Sequence, residues 1–126
     1  MATARQQQAQ HKQALGRWGE RIAERYLRER GFAVLGRNWR HRLGEIDLIL
    51  REDDTLVICE VKTRRSLDFG HPLAAVDDAK AARLSTLAML WVEEHGLTRV
   101  PVRVDLVGVL MPVLGDLEIE HVRGIH

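Results

Sequence analysis

The chain of 126 residues holds a single cysteine, which excludes an internal disulfide and leaves nothing that calls for an oxidising compartment. It has no cysteine and histidine cluster with zinc spacing and no glycine-rich loop of the kind that cradles a nucleotide's phosphates. No run approaches the ~20 apolar residues of a membrane helix, and the N-terminus lacks the apolar core of a signal peptide. There is no internal repeat, which excludes solenoids and propellers. What remains is an expectation of a cytoplasmic protein without membrane contact. Apolar content of 45% and charged content of 29% are ordinary for a globular domain. The length suits one domain that buries roughly two thirds of its unfolded surface.

The net charge of +1 conceals an asymmetry. Residues 1–43 carry ten lysines and arginines against three acids, and residues 44–126 carry nine against fifteen. A basic first third beside an acidic remainder suits a protein that holds a polyanion and collects metal next to it, although a solvated basic helix gives the same count.

The most informative stretch runs from Gly44 to Arg65. Ile46, Leu48 and Leu50 alternate with Glu45 and Asp47, and after a polar turn at 52–55 Val57, Cys59 and Val61 alternate with Leu56, Ile58, Glu60 and Lys62. Period 2 on both sides of a short turn predicts a hairpin centred between Asp53 and Asp54. That register sets Asp47 across from Glu60 and Glu45 across from Lys62, at about 5 Å. Facing carboxylates repel, and the pair is tolerable if a cation sits between them or one stays protonated. A hard divalent ion, Mg²⁺ or Mn²⁺, fits that need. Lys62 would then orient or deprotonate a water, or balance charge on a phosphate. Cys59 points to the opposite face and reads as a buried core thiol.

Asp47 followed by Glu60-Val61-Lys62 resembles the signature of the PD-(D/E)xK nuclease superfamily, with Ile46 standing where that name has proline. The strings GRWGERIAERYLRERGFAVL, GEIDLI and ICEVKTR resemble the YraN family of predicted bacterial endonucleases, and more distantly the archaeal Holliday-junction resolvases. The likeness covers Gly16 to about Trp91. It implies a restriction-endonuclease-like α/β fold, a mixed central sheet flanked by helices. It also implies a Mg²⁺- or Mn²⁺-dependent endodeoxyribonuclease whose products carry 5′-phosphates. Asp47, Glu60 and the Val61 carbonyl would bind the metal, and Lys62 would position the attacking water. The related resolvases carry a helix glutamate aligned with Glu20 that completes the metal site, so Glu20 joins the expected catalytic set. They pair as dimers on branched DNA, which makes a homodimer and branched DNA part of the expectation, although no self-complementary apolar face stands out here.

Residues 1–14 read as a flexible, glutamine-rich tail, with Arg5 and Lys12 as its cations, ahead of a single domain over 15–126. Leu15 to Arg30 reads as a helix ended by Gly31, with Leu15, Trp18, Ile22, Ala23, Tyr26 and Leu27 as its buried stripe. Glu20 borders that stripe and Glu24 lies on the water side. Gly16 and Gly19 are unfavourable inside a helix and suggest a close approach, of a strand or of a phosphate. After a short strand over Phe32–Leu35, Arg37, Trp39, Arg40, His41 and Arg42 fall on a loop, where cations interleaved with an aromatic suit phosphate contact and base stacking. A solvated hairpin with Trp39 on the core fits the pattern equally.

Arg64 and Arg65 lie just past Lys62 and suit the next phosphate. Residues 66–72 read as a loop, with His71 as a conceivable proton carrier. Asp77 caps a helix closed by Gly96, with Leu84, Leu87, Ala88 and Trp91 facing the core. Lys80 and Arg83 in its first turns are secondary phosphate contacts. Two further strands are expected, over Val100–Leu110 and Leu117–Val122. Two other readings stay open: a nucleic-acid-binding module of the same fold that cuts little, and a structural protein with an ordinary cross-strand charge ladder, which leaves Asp47 opposite Glu60 unexplained.

Overall fold

The computed structural model describes residues 1–68 and 70–125. Helix α1 spans Ala4–Glu29. Thr3 caps it, accepting from Gln6 N–H at 3.1 Å while the Gln6 side chain accepts from Thr3 N–H at 2.7 Å. This reciprocal pair satisfies two orphan N-terminal donors. It also carries the helix through the residues expected to form a tail, although residues 1–13 are exposed. Burial on α1 is narrower than the sequence stripe: Gly19, Ala23 and Leu27 are buried, Ile22 and Tyr26 pack partly, and Trp18 is 60% exposed. Gly31, at φ +92°, ends the helix.

Strand β1 covers Ala33–His41, β2 Gly44–Glu52 and β3 Thr55–Arg64. The basic segment expected as a loop is therefore most of β1, paired antiparallel to β2 from Ala33↔Arg51 to His41↔Gly44, with a bulge between Val34 and Gly36. Pairing with β2 supplies the ladder that the segment's own composition does not announce. The β2–β3 hairpin has the expected register, from Glu52↔Thr55 to Leu48↔Cys59, with Asp53 at φ 52° in the turn. Alternation along β2 breaks at Asp47, however. Leu48 and Leu50 join the core on the α1 side, whereas Ile46 joins Ile49 on the other side.

After β3 a short 3₁₀ turn at Pro72–Ala75 leads into helix α2, Asp78–Glu94. Residues 65–71 are irregular, and Phe69 of the expected loop lies outside the described residues. The Asp77 carboxylate caps α2 by accepting from Lys80 N–H at 2.8 Å. The crossover delivers β4, Val102–Leu110, parallel to β3, and β5, Glu118–Val122, then pairs antiparallel to β4. The sheet order is β1-β2-β3-β4-β5. The fold is thus α/β, a five-stranded mixed sheet with one helix on each face. Ala23, Leu27, Leu48, Cys59 and Val107 form one core layer, and Leu84, Leu87, Trp91, Ile58 and Val104 the other. No helix among the described residues is long and apolar enough to cross a membrane.

Candidate active site

Between Leu48↔Cys59 and the free end of the hairpin, the β2–β3 ladder is replaced by a side chain. The Val61 N–H donates to Asp47 Oδ2 at 2.8 Å. Within a strand a residue's N–H and C=O point to the same edge, so the Val61 carbonyl also faces the Asp47 side. Glu60, 5% exposed, stands one residue earlier on the face toward α2. Lys62 Nζ lies 3.3 Å and Lys80 Nζ 3.0 Å from the same oxygen, Glu60 Oε1. Asp47, Glu60 and Lys80 line a recess of about 200 Å³ with Glu45, Arg83 and Gly44.

Glu20 reaches this region from α1. The Asn38 side-chain amide, oriented to satisfy both neighbours, donates to Glu20 Oε2 at 3.2 Å and to Glu45 Oε1 at 3.1 Å. Asn38 sits in β1 at φ 49°, a left-handed conformation that asparagine tolerates better than most residues. One neutral side chain thus bridges two acids from different elements. No sequence spacing ties Asn38 to Glu20; only the pairing of β1 with β2 and the crossing of α1 bring them together.

The electrostatics follow from burial and like charge. Burial and then Glu60 push the Asp47 carboxyl up to about 8, against the lowering effect of the Val61 N–H, with Glu20 and Glu45 adding to the rise. Glu20 is raised too, by burial first and by Glu45 and Glu60, while Asn38 and Arg17 oppose. Of the two amines on Glu60, Lys62 is the one pushed below the ordinary lysine value, by burial and then by Lys80 beside it. Burial also lowers Lys80, but its bonds to Lys62 and Glu60 outweigh that and raise it. The region therefore pairs a carboxyl that resists ionisation with an amine that gives up its proton early, the combination that acid and base chemistry uses. Among the described residues no group of three or more His, Cys, Asp or Glu side chains is drawn close enough to hold a metal by itself.

The hairpin register holds as far as Leu48↔Cys59, but the pairs expected beyond it, Asp47 with Glu60 and Glu45 with Lys62, are not ladder partners: Asp47 turns to the Val61 N–H and Glu45 lies beside Arg40 and Asn38. Asp47, Glu60 and Lys80 meet in the recess, Lys62 joins them through Glu60, Glu20 comes near through Asn38, and Lys80 moves in from its expected place as an outlying phosphate contact. The arginines of β1 each stand beside an acid. Arg37 bonds Glu24, which is only 19% exposed and also lies near Arg28, so Glu24 does not face water as its helical position suggested. Arg40 lies 3.9 Å from Glu45, and Arg42 is exposed. Trp39 is half-buried against the α2-side core and stacks on His41, with ring centroids 5.7 Å apart. Arg64 turns back to donate to the Thr63 carbonyl at 2.9 Å, whereas Arg65 and Arg83 are exposed.

His71 is structural. Its Nδ1 accepts from Leu73 N–H at 3.2 Å, capping the 3₁₀ turn, so its Nε2 must carry the proton it shares with Glu120 at 3.1 Å. Cys59 is fully buried and its thiol is pushed well up, by burial first. Gly19 marks where α1 meets β3: a Cβ there would stand 1.8 Å from Thr63 Oγ1, a buried hydroxyl without a hydrogen-bond partner among the described residues.

Residues 19–109 match the model of Uncharacterised protein family UPF0102. The chain is 56% identical over 113 residues to a UPF0102 protein of Streptomyces griseus, covering 89% of this chain and 95% of that one. It is 53% identical over 114 residues to a UPF0102 protein of Nocardioides sp., covering 90% and 92%.

Proposed function

We infer that this chain, which belongs to the Uncharacterised protein family UPF0102, is a divalent-metal-dependent endonuclease that hydrolyses phosphodiester bonds in DNA. The observation that carries the reading is Asp47. Its carboxyl is pushed up to about 8 by burial and by Glu60, yet it is held in place by the Val61 N–H with the Val61 carbonyl alongside. Such a group ionises readily only beside a cation. The donors are all oxygens, as Mg²⁺ and Mn²⁺ prefer. Mg²⁺ keeps several waters and substrate phosphates and needs only one or two protein carboxylates, so a ready-made cage is not required.

Asp47, Glu60 and the Val61 carbonyl would hold the ion, and Glu20 closes the acidic cluster from α1. When bound, the metal supplies positive charge to the scissile phosphate. Lys62, with its lowered affinity for protons, takes a proton from the attacking water or holds that water in line with the phosphorus. Lys80 keeps Lys62 in that state and shares the charge of Glu60. The element order of a helix, an antiparallel three-strand meander and a crossover helix to a parallel strand supports the restriction-endonuclease-like fold as the more specific form of the α/β architecture. The Asp47 to Lys62 motif supports the same assignment.

A second reading, a nucleic-acid-binding module of the same fold, has one observation in its favour. Glu60 already has two lysine amines against one oxygen. The test is cleavage of labelled four-way junction, flap, nicked, linear and single-stranded DNAs with Mg²⁺ or Mn²⁺, comparing the natural chain with Lys62→Ala. Metal-dependent cutting that disappears in a folded variant supports the enzyme. A folded natural chain that binds these DNAs and cuts none of them moves the assignment to the binding module.

A further inference from the structure

We propose that the groove between the first half of α1 and the end of β3 seats an unpaired stretch of DNA beside the acidic recess. The proposal rests on the nuclease reading for the identity of the polymer, and on the groove itself for its being single-stranded. Two adjoining hollows, of about 620 and about 680 Å³, share Lys12, Leu15 and Arg65. Lys62 lines the first of them and bonds Glu60 of the recess. A chain lying in the groove therefore runs directly into the candidate site.

Charge and composition select the occupant. Among the described residues no acidic side chain lines either hollow, whereas Lys12, Lys62, Arg64 and Arg65 line the first and Lys12 and Arg65 the second. The lining also contains apolar surface that a duplex has no use for: Leu15, Met111 and Trp18, a residue 60% exposed. Duplex DNA presents phosphates outward and keeps its bases stacked, so it is held by charge. Unpaired bases offer free faces, and proteins that bind them combine a cationic groove with aromatic platforms. Of the β1 arginines, Arg37 is held by Glu24 and exposed Arg40 lies 3.9 Å from Glu45, so a carboxylate stands beside each of them.

Gly16 gives a second, independent pointer. Glycine is unfavourable inside a helix, and at Gly19 the protein itself explains it, because Thr63 fills the space. A Cβ at Gly16, by contrast, would meet nothing within 4 Å, and Gly16 lines the groove. Protein packing does not require this glycine. The open space beside it leaves room for a ligand close against the helix backbone.

The test measures binding of the full chain to a labelled 12-nucleotide single strand and to the matching duplex by fluorescence anisotropy, in EDTA so that nothing is cut. The expected result is preference for the single strand, with Trp18→Ala weakening that binding by about tenfold and changing duplex binding little. Lys12→Ala and Arg65→Ala should each reduce the slope of log affinity against log salt by about 0.7. Gly16→Ala should raise the melting temperature and weaken single-strand binding together, which no loss of folding imitates. Equal binding of both DNAs, unmoved by Trp18→Ala, overturns the proposal. So does a Trp18→Ala protein whose DNA binding is intact but which has lost a dimer, since the groove would then be an interface between copies. Strand-selective binding without cleavage of any substrate removes the nuclease reading and keeps the groove. Cleavage with Trp18-independent binding removes the groove and keeps the nuclease.

Discussion

Asp47 Oδ2 accepts the Val61 N–H at 2.8 Å, so a carboxylate occupies the place that a β2 carbonyl would take in an unbroken ladder. The consequence is a titratable group built into the sheet rather than mounted on it. Its position is fixed by backbone geometry, and its energy is set by what shares the gap.

In metal-free protein the gap disfavours ionised Asp47. The carboxyl is raised from 3.8 to about 8, so the folded state holds its proton through a range in which the unfolded state has lost it. Stability in EDTA should therefore fall as pH rises from about 4 to about 8. Asn at this position can still accept from Val61 and carries no charge. Asp47→Asn should then melt at least ~4 °C higher than the natural chain at pH 8 in EDTA. It should also lose the stabilisation that Mn²⁺ gives the natural chain. A variant no more stable than the natural chain at pH 8 would show that the carboxylate is already neutralised without metal.

Lys80 should act through Lys62. Burial lowers Lys62 most, but Lys80 contributes next, so Lys80→Met should let the Lys62 amine keep its proton to higher pH. If neutral Lys62 takes the proton from water, the rising limb of the cleavage pH profile should move to higher pH, and the rate at pH 7.5 should fall about tenfold. A profile that drops uniformly without shifting would assign Lys80 to phosphate binding alone.

How much of this was legible depends on the range of the interaction. The hairpin register as far as Leu48↔Cys59, and Glu60 and Lys62 on one face, follow from a two-residue turn and alternation along β3, because register in a hairpin is local; the turn of Asp47 to the Val61 N–H, where alternation along β2 breaks, does not. Helix α2 announces itself through the Asp77 cap and Gly96, and Cys59 through its parity with Val57 and Val61. Strand β1 does not, since Arg37-Asn38-Trp39-Arg40 takes its place in the sheet from pairing with β2. The same limit hid Asn38 as the bridge from Glu20 to Glu45, and Lys80 as a partner of Glu60. Trp18 fits the helical stripe of α1 by angle. It is 60% exposed although Gly19 beside it is buried, a difference that periodicity does not carry.

The α1–β3 crossing should be intolerant of a single methyl group. A Cβ on Gly19 would stand 1.8 Å from Thr63 Oγ1 and 2.9 Å from its Cγ2, so Gly19→Ala should cost about 1–3 kcal/mol through overpacking. Thr63→Ala removes both of those atoms but leaves Cβ at 2.8 Å. The double variant should recover part of the loss, seen as a favourable coupling in a double-mutant cycle by urea unfolding. Additive costs would mean that the helix shifts as a body instead.

The far strands hold a further buried carboxylate. Asp105, 1% exposed on β4, accepts from Arg103 Nε at 2.8 Å and Nη2 at 3.0 Å, from His121 Nε2 at 2.7 Å and from Gly124 N–H at 3.0 Å. Burial alone would raise its carboxyl, but the His121, Arg103 and Gly124 bonds outweigh burial and bring it down to about 2. The sign is opposite to that of Asp47: the folded state releases the proton more readily than the unfolded state, so the contribution is complete above about pH 4 and is lost as pH falls toward 2. The size is about 2–3 kcal/mol. The network ties β5 and the segment after it to β4, so acid should loosen the C-terminal edge of the sheet first. Asp105→Asn should cost ~3 kcal/mol at pH 7, because Arg103 and His121 lose their anion, and its stability should be flatter than the natural chain's between pH 4 and pH 2. Parallel acid profiles for the two proteins would place the acid sensitivity in another carboxylate.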